Sequence, residues 1–80
     1  MSKYSALRRH LEAASGASVE MAFREIDDVV GGLPASARRY SAWWSNEHEG
    51  RHVQARAWLD AGWRVANVNL TAERVRFNRA

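Results

Sequence analysis

The sequence predicts a small α+β domain, three to four helices packed with a small three-stranded antiparallel sheet in one unit spanning residues 1–80. Three observations predict it. Stretches with apolar residues at three- and four-residue spacing are interspersed with stretches of period two, the marks of helices and half-buried strands. Eighty residues with 46% hydrophobic content hold one core and not two. All four tryptophans and the single proline fall between Leu33 and Trp63, so this stretch supplies much of the apolar bulk.

Taken in order, residues 3 to 14 place Tyr4, Leu7, Leu11 and Ala14 on one stripe, with Arg8, Arg9 and Glu12 outside it. This is an amphipathic helix, and Ser15-Gly16 is expected to stop it through a left-handed glycine. Ser18 to Phe23 alternates, with Val19, Met21 and Phe23 on one face, and predicts a short strand. Helical spacing returns over Arg24 to Val30, and Gly31-Gly32 ends it.

Pro34 suits the first turn of a third helix, where its missing N–H costs nothing. Ala37, Tyr40 and Trp44 share a stripe of that helix, and Trp43 lies about 100° from Trp44. One of the two indoles is therefore expected at the edge of the buried stripe. Asn46 to Arg51 reads as a polar loop, and His52 to Ala61 as a further helix capped by Gly62. Trp63 to Leu70 and Arg74 to Arg79 are strands flanking Thr71-Ala72-Glu73, the length of a three-residue hairpin loop. Between Val65 and Ala66 the alternation changes parity, which predicts a bulge or two-sided burial there.

With one middle helix merged, the order is that of a winged helix domain: a helix, a short strand, a helix-turn-helix and a hairpin wing. The first strand is then expected to pair with the hairpin.

Composition bounds the chemistry. Without cysteine there are neither disulfides nor thiolate metal sites. No apolar run approaches the roughly 18 residues of a membrane span, and the first ten residues contain no signal-peptide core. A cytoplasmic protein is expected. The net charge is +3 and eleven of the twelve basic residues are arginine. Acids gather at Glu20, Glu25, Asp27 and Asp28, whereas eight arginines face four acids from Ala35 to Ala80. This asymmetry suits a polyanionic partner.

Catalytic constellations are poorly supported. His48-Glu49-Gly50-Arg51-His52 matches the spacing of a zinc protease helix, but Gly50 within that helix costs about 1 kcal/mol relative to alanine. Its surroundings read as loop, and the available third ligands are the distant His10, Asp60 and Glu73. Ser36 and Ser41 lie in no nucleophile elbow, and Gly31-Gly32 is followed by Leu-Pro rather than a phosphate-loop lysine. Asp27 and Asp28, being adjacent, diverge on a helix and cannot share a proton. A non-catalytic protein without metal or cofactor is expected.

The motifs F-x-E-I (Phe23 to Ile26), L-P-x-S-A-R (Leu33 to Arg38), W-W-x-N (Trp43 to Asn46), Q-A-x-A-W-x-x-A-G-W-x-V (Gln54 to Val65) and V-x-F-x-R (Val75 to Arg79) cover almost the whole chain. Together the chain resembles a family of small, uncharacterised bacterial domains. The resemblance implies a bacterial intracellular domain and carries over no catalytic residue.

The expected function is DNA binding, to a duplex, in a transcriptional regulator or a nucleoid or phage-related factor. In a winged helix the element near 52–61 is the recognition helix. Gln54 is then expected to read adenine, Arg51 and Arg56 guanine, and Asn46 either base near the helix start. Arg38 and Arg39 are expected to grip phosphate, and Arg64, Arg74 and Arg76 to reach flanking backbone or minor groove from the wing. The alternative is a protein-interaction module, such as an inhibitor, adaptor or antitoxin-like partner, using an exposed Trp and arginines. A homodimer would add burial to so short a chain.

Overall fold

The computed structural model describes residues 2–47 and 53–80. The His48–His52 motif and Arg51 lie outside the described residues. Four α-helices, one 3₁₀ turn and three strands are present among them: α1 (Ser5–Glu12), β1 (Ser18–Ala22), α2 (Phe23–Val30), α3 (Ala35–Arg39), a 3₁₀ turn (Ser41–Trp44), α4 (Val53–Leu59), β2 (Trp63–Asn69) and β3 (Arg74–Arg79). The sheet is antiparallel throughout, in the order β1-β3-β2, with β3 central.

Most elements lie where periodicity places them, and four differ in detail. The first helix ends at Glu12, with Ala13 still right-handed, so Gly16 (φ 90°) turns the following loop rather than capping the helix. Phe23 opens α2 instead of ending β1. Its N–H goes to the Glu73 carbonyl at 2.8 Å, and the Glu25 carboxylate accepts the Ala22 N–H, also at 2.8 Å. Gly31 (φ 82°) is the left-handed cap expected of it. The hairpin loop is four residues long, Leu70 to Glu73, and Glu73 itself takes φ 54°.

The largest departure is the third helix. It stops at Arg39, Tyr40 is extended (φ −128°, ψ 121°), and the chain re-enters a 3₁₀ turn. The break removes the constraint that set the two indoles 100° apart. Trp43 and Trp44 are both buried, and the exposed aromatic is Tyr40, at 61%.

One core results. Leu7 and Leu11 of α1, Phe23 and Ile26 of α2, and Met21, Val75 and Phe77 of the sheet close around the tryptophans. Phe23 and Trp44 stack at 5.0 Å between ring centroids, Trp44 and Trp58 at 5.9 Å, and Trp43 meets Trp44 edge-on at 4.7 Å. Burying each such ring stabilises the fold by at most about 4–6 kcal/mol before entropy is counted.

The sheet buries one face only. Val19, Met21, Trp63, Val65, Val68, Val75 and Phe77 point to the core. The register pairs Val65 with Phe77 and then Asn67 with Arg76, leaving Ala66 as the extra residue of a β-bulge, as the parity change anticipated. No helix among the described residues is long and apolar enough to cross a membrane.

Candidate nucleic-acid interface

The residues singled out from the sequence fall into three groups in the fold. The first is engaged by hydrogen bonds within the fold. Asn46 follows the 3₁₀ turn and lies against the edge strand β2. Its Oδ1 accepts the Val65 N–H at 2.9 Å and the Trp58 Nε1–H at 3.0 Å, while its Nδ2 donates to the Val65 carbonyl at 2.9 Å. The carboxamide thus pairs with the edge of β2 as a neighbouring strand would, beside the bulge. Gln54 is only 6% exposed and donates to the Trp43 carbonyl at 3.0 Å. Burial withdraws Gln54 from any base edge, which corrects the role expected of it; Asn46 reaches solvent, but three hydrogen bonds within the fold engage its amide. The reason is physical: indole N–H groups and backbone donors and acceptors drawn in by the packing of the tryptophans need partners there.

The second group is neutralised. Arg38 meets Asp27 through Nη2 at 2.6 Å and Nη1 at 3.3 Å, and its Nε reaches Glu73 at 3.1 Å. Asp27 also accepts the Leu33 N–H at 2.7 Å. The Arg38 hydrogen bonds, with that backbone donor, hold the Asp27 carboxyl below its ordinary value, and Asp27 in turn raises the Arg38 guanidinium. Arg38 therefore ties α3 to α2 and to the hairpin tip, its guanidinium engaged by two carboxylates. Arg74 donates through Nε to Glu20 at 2.7 Å.

The third group is exposed and makes no ion pair among the described residues: Arg39 at the end of α3, Arg56 on α4, and Arg64 and Arg76 on the sheet. Arg56 lines a groove of about 210 Å³ between α1 and α4 with Tyr4, Arg8 and Asp60. Arg51 lies outside the described residues. On α4 the described side chains Gln54, Ala55, Ala57 and Trp58 all face inward, and Val53 and Arg56 face out.

The solvent face of the sheet gathers what the helix does not. Arg64 stands opposite Asn78, Asn67 opposite Arg76, and Asn69 opposite Arg74; β1 adds Ser18 and Glu20 beyond β3. This face carries three arginines to one glutamate. Between them lies a concavity of about 190 Å³, lined by Glu20, Asn67, Asn69, Ala72, Arg74, Val75 and Arg76. Asn67 and Asn69 escape a count of basic residues. The signal for them is the parity change at the bulge: once Val68 turns inward, both asparagines must turn outward.

No group of three His, Asp or Glu side chains that would hold a metal ion occurs among the described residues. Of the distant acids considered as third ligands, Glu73 pairs with Arg38, and Asp60 lies 4.0 Å from Arg8.

A family model described as Domain of unknown function (DUF7662) matches residues 4–80. No curated protein and no solved structure shows a significant match to the chain.

Proposed function

The chain belongs to the DUF7662 family, and from its own geometry we propose that it is a non-catalytic DNA-binding domain whose interface is the outer face of the sheet. One observation carries the proposal: Arg64, Arg74 and Arg76 share a solvent-facing surface with Asn67 and Asn69, against a single acid, Glu20. Arginine and asparagine are the side chains that pair bidentately with guanine and adenine, and the excess of arginine attracts phosphate. Element order and sheet order support a winged-helix reading, with the 3₁₀ turn and α4 as the helix-turn-helix. The recognition surface then lies on the hairpin rather than on α4, since most of the described α4 is packed inside.

Fluorescence anisotropy of a labelled random duplex, followed at several salt concentrations, tests the proposal. Affinity is expected to fall linearly with log salt, and Arg64→Ala/Arg76→Ala to reduce the slope by about 2. Absence of binding at low salt overturns it.

A second reading, a protein-interaction module, keeps one specific observation in its favour. With all four tryptophans buried, the exposed large apolar side chains among the described residues are Tyr40 and Val53, at 61% and 54%. An interface anchored on Tyr40 would be insensitive to salt and lost in Tyr40→Ala, the reverse of the outcome expected for DNA.

A further inference from the structure

Resting on the reading of the outer sheet face as a DNA interface, we propose that this face reads base edges in the major groove of duplex DNA, and that Glu20 positions Arg74 to read a guanine. The class of nucleic acid follows from what the face holds and lacks. None of the outward strand positions that form it, from Ser18 and Glu20 to Arg64 and Asn78, is aromatic. Binding of single strands relies on aromatic platforms for stacking, which are missing here. The deep, narrow major groove of A-form RNA excludes side chains. The major groove of B-DNA, about 12 Å wide, admits a two-stranded β-ribbon, and the β2–β3 hairpin that carries Arg64, Asn67, Asn69, Arg74 and Arg76 is such a ribbon.

The spacing along the strands agrees. Arg74 and Arg76 are same-face neighbours on β3, about 6.8 Å apart in an antiparallel strand, which equals two base-pair steps of about 3.4 Å. The bulge completes the set. Were β2 regular with Ala66 paired in register, strict alternation after Arg64 would turn Ala66 and Val68 outward and both asparagines inward. With the bulge, Asn67 and Asn69 come opposite Arg76 and Arg74. The Asn69 Oδ1 accepts the Ala72 N–H at 2.9 Å, whereas Asn67 is left with its full amide for adenine.

Glu20 is out of place on a surface built only to attract phosphate. Its carboxylate accepts Arg74 Nε at 2.7 Å, and its cross-strand neighbour is Arg76. Holding Nε on one side leaves the two Nη groups of Arg74, the pair of donors that guanine O6 and N7 require. Glu20 is thus a positioning residue that acts through Arg74. The Glu20 and Arg74 side chains are 50% and 47% exposed, so their pair contributes little to folding and can be altered safely.

The test selects preferred sites from a duplex pool randomised at its centre, using wild type, Glu20→Ala and Glu20→Gln, each checked by circular dichroism. Wild type is expected to enrich a guanine-containing site and to bind it about tenfold less tightly when that guanine is replaced by 7-deazaguanine, which lacks N7. Glu20→Ala removes a negative charge and is expected to bind random duplex at least as tightly, yet to lose the 7-deazaguanine discrimination. Glu20→Gln retains an acceptor for Nε and is expected to keep it. A salt-dependent wild type that enriches no site, prefers single strands, or discriminates equally well as Glu20→Ala overturns this inference and leaves the broader DNA reading standing. No binding to any DNA overturns both.

Discussion

Asn46 and Asn67 both lie at β2 and both reach solvent, yet they differ in what surrounds their amides. Asn46 belongs to the lattice of indoles and amides under the sheet edge. There Trp44 donates to the Ala37 carbonyl at 2.8 Å, Trp63 to the Leu11 carbonyl at 2.9 Å, and Trp58 to Asn46 itself. Asn67 belongs to the outer sheet face, where Arg76 is its cross-strand neighbour. Exposure alone does not separate a structural polar residue from an available one; the balance of its hydrogen bonds does. The lattice spends polar groups to bring tryptophan inside, and the outer face leaves them unspent.

The sharpest way to break this contrast is Asn46→Ala. It strips partners from the Trp58 indole N–H and from both backbone groups of Val65. The expected loss is about 2–4 kcal/mol in urea unfolding, because partly buried donors and acceptors are left unmade. In a Trp58→Phe background the loss should shrink, since the indole donor is already gone. A cost below about 0.5 kcal/mol would place Asn46 with the surface residues.

Periodicity makes most of the fold legible, because each strand buries one face and each helix one stripe. The bulge is legible too, as a change of parity between Val65 and Ala66. The break at Tyr40 is not: a continuous helix through Trp44 satisfies the local spacing, and only the need to bury both Trp43 and Trp44 against α4 and the sheet overrides it. The candidate site is legible in part. Arg64, Arg74 and Arg76 are visible as outward positions of strands. Gln54 misleads because a helix-start position suggests solvent, and the hydrogen bonds of Gln54 and Asn46 are invisible locally because their partners, Trp43, Trp58 and Val65, are brought to them by tertiary packing. The partners of Arg38 are equally invisible locally, since Asp27 and Glu73 lie 11 and 35 residues away.

That charged cluster gives an effect of intermediate size. Asp27, Arg38 and Glu73 join α2, α3 and the hairpin tip that borders the outer face. Because the folded state lowers the Asp27 pKa, its stabilising contribution is fully present above the ordinary aspartate value of about 3.9 and disappears as pH falls through the depressed folded value. Asp27→Asn is expected to cost about 1–2 kcal/mol at pH 7, and the wild-type and variant urea midpoints should converge under acid. A difference that persists under acid would mean the carboxylate charge is not what holds the hairpin to α3.

The smallest effect on stability is expected where the effect on binding is large, and Asn67→Ala isolates it. Asn67 follows the bulge residue, points away from the core, and stands opposite Arg76 rather than against any backbone donor. Removing its amide opens no cavity and orphans no buried group, so the urea midpoint should stay within about 0.5 kcal/mol of wild type. If the amide reads a base, affinity for the selected duplex falls by about tenfold while affinity for random duplex and its salt slope stay unchanged, since no charge is lost. A matching loss on both duplexes would instead assign Asn67 to the phosphate backbone. A loss of stability with no loss of binding would return it to the same class as Asn46, and the division between lattice and outer face would fail at the residue chosen to define it.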